Sequence, residues 1–265
     1  MVWVGVCMSD AVICERLREG VAVVTGAGVG LGRALALDLV AQGVTVVGMG
    51  RDRRTLAEVA ATAGPGFHPV PLDVADAEMV RTGFAGVAAR LGPVTLLINN
   101  AAIYPRREFM EEGPEGFMQT VAVNLGGVAA CSHAALSGMV QTGFGRILNV
   151  SSYADVAPLS ASAGYSVSKG AARILTRALV ADLGDRFPGI VIGDWMPGML
   201  ATRMGVAAGL DPVQAARWGA RLALWHDPAL TGTIFEMDRE VLPPRGLKRR
   251  IVERLTGRRP VVRRL

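Results

Sequence analysis

Cysteine is scarce in this 265-residue chain: Cys7, Cys14 and Cys131 are odd in number, widely separated and form no CxxC pair. Isolated thiols do not make a disulfide framework, and they fit a reducing cytoplasm. Histidine is equally sparse, and His68, His133 and His226 lack ligand spacing, so no metal site is expected. His226, just before Asp227-Pro228, reads as a loop residue. Long charge-free apolar runs are not expected either. Although 51% of residues are hydrophobic, Gly, Asp, Arg or Pro interrupts each run before the ~18–20 residues of a spanning helix. Residues 1–8 are apolar but too short for a signal sequence and have no basic flank. No repeat, linker or low-complexity segment divides the chain, which leaves one large core and one domain.

Charge is unevenly distributed. Segment 239–265 holds ten basic residues against Glu240 and Glu253, whereas residues 1–238 carry a net charge of −3. The expected division is a catalytic domain over 1–238 and a basic extension over 239–265. Such an extension can meet nucleic acid or an anionic membrane, and a solvated or subunit-docked tail is the plainer reading. Leu247, Ile251 and Leu255 stand four apart, as on a short helix with one apolar stripe.

Strand and helix signals alternate along the chain. Residues 21–25 read as a buried strand, followed by a glycine turn and an apolar helix over 33–42. Strands then follow at 44–49, 67–72, 94–99, 146–150, 189–194 and 232–237. Helices fall at 52–62, 76–91, 112–138 and 164–184. This alternation predicts α/β architecture: about seven strands in a doubly wound, parallel sheet with helices on both faces.

Two motifs carry chemistry. Thr25-Gly26-x-x-x-Gly30-x-Gly32 follows the first strand directly. It is not the GxGxxG dinucleotide fingerprint, because that register puts Leu31 or Arg33 at the last position. Glycines here still let backbone approach a pyrophosphate at the start of the next helix. The second motif is Ser152 with, thirteen residues on, Tyr165-x-x-x-Lys169. Positions i and i+4 of a helix share a face, so the lysine ammonium acts on the phenol and favours its ionised form.

Together these motifs resemble the short-chain dehydrogenase/reductase family, and further segments agree over nearly the whole chain. Asp73-Val74 resembles the family's adenine-contacting acid and its neighbour. Asn99-Asn100-Ala101-Ala102 resembles its NNAG motif, with Ala102 in place of glycine. Asn124 matches the fourth member of its catalytic set. Pro197-Gly198-Met199, with Thr202, matches the loop that closes over the nicotinamide, and Thr231-Gly232 precedes the last strand. The resemblance implies a Rossmann-type fold and hydride transfer between a nicotinamide cofactor and a carbonyl or secondary alcohol. It implies that Tyr165 moves the proton, that Lys169 tunes it and holds the ribose, and that Ser152 bonds the substrate oxygen. Asn124 is then expected to hold a water in a proton relay. Gly26, Gly28, Val29, Gly30, Leu31 and Gly32, with Asn100, Ala101 and Ala102, are the expected cofactor cradle. Dimers or tetramers through the helices carrying Asn124 and Tyr165 are implied too.

Cofactor choice turns on the end of the second strand, where an acid favours NAD and a basic residue suits the 2′-phosphate of NADP. Gly50 stands at the acid's place and Arg51 follows, so NADP(H) is favoured, with NAD(H) as the alternative. The substrate pocket is expected from Ile103, Tyr104 and Pro105, from Tyr153, Ala154 and Asp155, and from an apolar lid within 199–228 containing Met199, Met204, Trp218 and Trp225. The expected substrate is a small, apolar ketone or alcohol. Asp194 and Trp195 depart from the family pattern and are read either as pocket residues or as core. An NAD-dependent alcohol dehydrogenase and a cofactor-binding sensor or scaffold without turnover are the competing functions.

Overall fold

A computed structural model describes residues 14–242 and 262–265. Cys7, the segment 1–8 and the expected helix at Leu247, Ile251 and Leu255 lie outside the described residues. Helix α1 (Glu15–Glu19) leads into β1 (Val21–Thr25), α2 (Gly30–Ala41), β2 (Thr45–Gly50), α3 (Arg53–Ala63), β3 (Phe67–Pro71), α4 (Ala77–Leu91) and β4 (Val94–Asn99). Then come α5 (Phe109–Val121), a π-helical turn (Ala122–Gly126), α6 (Gly127–Thr142), β5 (Gly145–Val150), α7 (Ala163–Leu183), β6 (Ile190–Met196), α8 (Pro212–Leu224), β7 (Ile234–Glu236) and β8 (Arg239–Val241).

The strands form one sheet in the order β3-β2-β1-β4-β5-β6-β7-β8. All pairs are parallel except β7 with β8. The sheet is therefore doubly wound as expected, with an eighth, antiparallel strand that alternation alone did not reveal. Three-residue strands carry too little pattern to be read. Pro69 and Pro71 are tolerated in β3 because it is an edge strand with neighbours on one side only.

Strand alternation builds two cores. Ala22, Val24, Val46, Leu96, Ile98, Leu148, Val191 and Trp195 face one side, where residues of α2, α3 and α8 cover them. Val21, Val23, Val47, Met49, Leu97, Ile147, Ile190 and Ile192 face the other, under α4, α6 and α7. A parallel sheet covered on both faces needs such nearly continuous apolar strands.

One expectation is overturned. The helical stretch Phe109–Thr142, of mean hydropathy 1.2 over its most apolar window, is long and apolar enough by composition to cross a membrane. Glycine does not break it into short runs. Its apolar residues serve the interior instead: Val123, Val128, Cys131, Ala135, Leu136 and Met139 join the second core. A break at Gly113 (φ 65°), before Pro114, bends its start.

A close contact between helix and sheet involves Gly219 of α8. A Cβ there would lie 2.5 Å from the Trp195 ring and 2.8 Å from Leu35 of α2, and Trp195 has no solvent exposure. Gly219→Ala is expected to destabilise the fold by about 1–3 kcal/mol through overpacking. Urea denaturation monitored by tryptophan fluorescence measures this, and an unchanged midpoint would contradict the packing described.

Candidate active site

At the C-terminal ends of the parallel strands, β1 turns sharply into α2. Gly26 (φ 66°) and Gly30 (φ 54°) take left-handed conformations that a side chain would strain. A Cβ on Gly32 would collide with the Gly26 carbonyl oxygen and the Asn100 amide. The N-cap of α2, Val29, supplies no side-chain hydrogen bond, so the first N–H groups of this helix remain available to an anion. Asn100 and Thr25 lock the turn from below. Thr25 Oγ1 accepts from the backbone N–H of Asn100 and of Ala101, each at 3.0 Å, and Asn100 Nδ2 donates to Thr25 O at 2.9 Å. Orphaned helix donors beside a side-chain-free cradle fit a dinucleotide pyrophosphate.

Beside that cradle lie the ends of β2 and β3. Asp52 caps α3, accepting from Arg54 N at 2.8 Å and Thr55 N at 3.3 Å. Its carboxylate is thereby committed to the helix. Arg51 is exposed and meets Asp73 at 3.8 Å. Asp73 also accepts from Ala75 N, and Val74 is buried against Gly127.

Across the sheet's switch point, α7 presents Tyr165 and Lys169 in its first turns. Lys169 is buried, and its Nζ donates to Val150 O at 2.7 Å and lies 5.9 Å from the Tyr165 ring centroid. Burial pulls the ammonium down to about 8, against the opposing pull of the Asp194 charge. Burial also raises the Tyr165 phenol; hydrogen bonding with Ser152 opposes this, and Tyr104 adds to it. This differs from the expected lowering by Lys169: with water excluded, the cost of a buried phenolate dominates. Ser152 accepts from Ala154 N at 3.2 Å as cap of a short turn. Its neighbour Ser151 is buried with an unpartnered hydroxyl.

Asn124 sits in the π-helical turn, fully buried. Its Oδ1 accepts from Ile103 N at 2.8 Å, while Nδ2 donates to Ile103 O at 2.9 Å and to Ser168 Oγ at 3.0 Å. Ser168 in turn donates to Tyr165 O. One amide therefore ties the loop after β4 to the helix bearing Tyr165 and Lys169. Just beyond Ile103, Tyr104 stacks on Tyr165 with ring centroids 4.5 Å apart.

The loop after β6 reaches back over the glycine turn. The methyl of Thr202 lies 3.5 Å from where a Gly30 Cβ would be, and Thr202 Oγ1 accepts from Gly205 N at 3.2 Å. Pro197, Gly198 and the exposed Met199 precede it. Of the expected lid residues, Met199 and Met204 are exposed, but Trp225 is buried and Trp218 packs against the core. Those two tryptophans are core residues, because α8 turns its apolar stripe to the sheet. Asp155, expected in the pocket, instead accepts from Arg173 Nη1 at 2.7 Å with both oxygens.

Comparison with known proteins agrees with this geometry. The family model described as "short chain dehydrogenase" matches residues 20–211. The chain belongs to the short-chain dehydrogenase family. The short-chain reductase protein NovJ of Streptomyces niveus is 37% identical over 190 residues, 71% of each chain. The L-xylulose reductase of Bos taurus is 35% identical over 210 residues, 79% of this chain and 83% of that one. Carbonyl reductase (NADPH) 2 of Sus scrofa is 34% identical over 197 residues, 74% and 78% of the two chains. A crystal structure of a short chain dehydrogenase from Bacillus anthracis aligns with a TM-score of 0.76 at 23% identity, over 84% of this chain and 96% of that one. This last match is a likeness of fold.

This member of the family carries a buried polar row that its motifs did not announce. Asn99, Asn149 and Asp194 are register partners on β4, β5 and β6. Asn99 Nδ2 donates to Asn149 Oδ1 at 2.8 Å and to Ser132 Oγ at 3.0 Å. Asn149 Nδ2 donates to Thr176 Oγ1 at 2.9 Å, and Thr176 donates to Asp194 Oδ1 at 2.9 Å. The signal lay in spacing: Thr176 is two helical turns beyond Lys169 and shares its face. Trp195 and Asp194 thus resolve into core and row, with Trp195 Nε1 donating to Met237 O at 3.0 Å.

Removing the amide that joins loop to helix tests the arrangement. Asn124→Ala is expected to cost about 1–3 kcal/mol, because the half-buried Ile103 loses partners for both backbone groups. Equilibrium denaturation measures the loss, and a change below experimental error would show that the loop is held elsewhere.

Proposed function

We propose that the protein is an NADP(H)-dependent reductase of ketones, working reversibly on the corresponding secondary alcohols, in the cytoplasm. Membership of the family makes it an oxidoreductase that works with a nicotinamide dinucleotide. The observation that carries the finer reading is the grouping of Tyr165 with Ser152 and with the buried Lys169, whose Nζ lies 5.9 Å from the Tyr165 ring centroid, at the sheet's switch point; burial, which raises the phenol, favours its protonated form.

When bound, the nicotinamide supplies the hydride that reduces the carbonyl carbon. Tyr165 gives its proton to the carbonyl oxygen as negative charge develops there. Ser152 donates a hydrogen bond to the same oxygen, worth more in a site shielded from water. Lys169 holds the ribose and steadies the phenolate left behind. Asn124 keeps the helix and the loop after β4 in step, and would hold a water through which Lys169 recovers its proton from solvent. A phenol raised by burial is a proton donor at neutral pH, which supports reduction over oxidation. The glycine turn, with Val29 and Leu31, holds the pyrophosphate, while Asn100, Ala101, Ala102, Asp73 and Val74 flank the adenosine. Pro197, Gly198, Met199 and Thr202 close over the nicotinamide.

NADP(H) is favoured because Asp52, next to the end of β2, is engaged in capping α3, while Arg51 is exposed and only loosely paired with Asp73, at 3.8 Å, which leaves its fork able to turn to a phosphate. The NADPH in the name of the porcine relative is consistent with this. Met118, Val167 and Ile174 are exposed on α5 and α7, which supports a homodimer or homotetramer through those helices.

Three experiments test the reading. Tyr165→Phe is expected to lower kcat by about 10²–10⁴-fold while NADPH binding, followed by fluorescence, stays intact. In wild type, kcat/KM for ketone reduction should hold steady below pH about 8 and fall above it, as Lys169 loses its proton. Near-normal turnover by the variant, or a plateau unbroken well past that pH, argues against these roles. Arg51→Ala should reduce kcat/KM for NADPH by about 10–100-fold and leave NADH almost untouched; equal effects on both cofactors would remove the preference.

A further inference from the structure

The loop after β4 is held more firmly than a connecting loop needs. Asn124 binds both backbone groups of Ile103, which fixes where Tyr104 begins. Tyr104 then lies nearly parallel to Tyr165, at 17°. Two residues on, Arg106 adopts φ 52°, a conformation that a non-glycine residue keeps only when its surroundings enforce it. The enforcing contacts are visible. Arg106 Nη2 donates to Met204 O at 2.8 Å and Gly205 O at 2.7 Å, and its guanidinium stands 5.3 Å from the Tyr104 ring centroid. One guanidinium is thus strapped to the loop after β6 while resting over the ring that covers Tyr165. The distance between that loop and Tyr104 is limited to the reach of one arginine head.

From this we infer that Tyr104 determines specificity, selecting ketones whose carbonyl bears a flat, aromatic substituent. The inference rests on the reductase reading of the same site. A carbonyl oxygen that meets Tyr165 and Ser152 leaves its substituent beside the paired tyrosine rings. Across from it runs the loop after β6, whose Met204 holds Arg106 through its backbone carbonyl and is itself exposed. The strap keeps that loop close to Tyr104, and on this inference the substituent lies in the narrow opening between them. A planar ring enters it and gains edge-to-face or offset contact with Tyr104. A puckered saturated ring of the same carbon count is thicker, and it must break the strap to enter.

Acetophenone and cyclohexyl methyl ketone form the matched pair for a test. Conjugation makes the aryl ketone the less electrophilic of the two, so intrinsic reactivity runs against the expected preference. With wild type, kcat/KM for acetophenone is expected to exceed that for cyclohexyl methyl ketone by at least about fivefold. Tyr104→Phe keeps the ring and should keep the ratio. Tyr104→Leu keeps apolar bulk without a π face, and its ratio should fall to one or below. Equal ratios in the Phe and Leu variants, or a wild-type ratio of one or less, overturn the inference and leave the reductase reading standing. No NADPH oxidation with either ketone overturns both.

Discussion

Keeping Lys169 charged where water scarcely reaches it is the constraint on which the catalytic end depends. An ammonium in apolar surroundings tends to shed its proton, and burial has already brought Lys169 down to about 8. Two features oppose further loss. The Val150 carbonyl accepts one of its hydrogens, and Asp194 contributes negative charge from the neighbouring strand. Asp194 is under the mirror-image pressure, pushed up to about 7 by burial and restrained by its hydrogen bond from Thr176 and by Arg173, Lys169 and Arg177. Each group makes the other's ionisation less costly. Among the described residues neither closes a direct salt bridge, so the balance responds to what binds nearby.

That balance requires Asp194 to stay in place, and the row of side chains across β4, β5 and β6 keeps it there. Register pairing sets Asn99, Asn149 and Asp194 side by side, and Thr176 passes the chain of hydrogen bonds from one strand to the next through α7. The Asp155–Arg173 pair, with both side chains less than one-fifth exposed, fastens the turn after Ser152 to the same helix. Helix α7 is thus attached to the sheet by polar contacts as well as by its apolar side chains. Polar networks of this kind specify one arrangement among several that apolar packing alone would allow.

Much of this was legible in the chain. Apolar runs of strand length between helical patterns gave the sheet, because a parallel sheet covered on both faces leaves little room for polar residues. The glycine turn and the Ser-Tyr-Lys spacing were legible because helix periodicity and strand ends fix such distances locally. Arg106 was not, since its role depends on Met204 and Gly205, roughly a hundred residues away, and on a backbone angle that composition does not encode. Trp218 and Trp225 misled for a related reason: an aromatic stripe on a helix reads alike whether it faces a pocket or a sheet. Nor did Asn124 announce its clamp on Ile103, because an isolated Asn carries no sign of which backbone it will bind.

The two ends of the sheet have a consequence for how the molecule behaves in a crowded solution. At one end, Pro69 and Pro71 remove two N–H donors from β3. At the other, β8 is partly covered by the chain itself: Glu240 N donates to Arg263 O at 3.0 Å and Leu265 N to Asp238 O at 2.9 Å. A foreign strand arriving at either border meets missing donors or occupied ones. Runaway strand-on-strand stacking, the ordinary hazard of a sheet this wide, finds no good template here. The protein can carry eight strands at high concentration without inviting its neighbours to extend them.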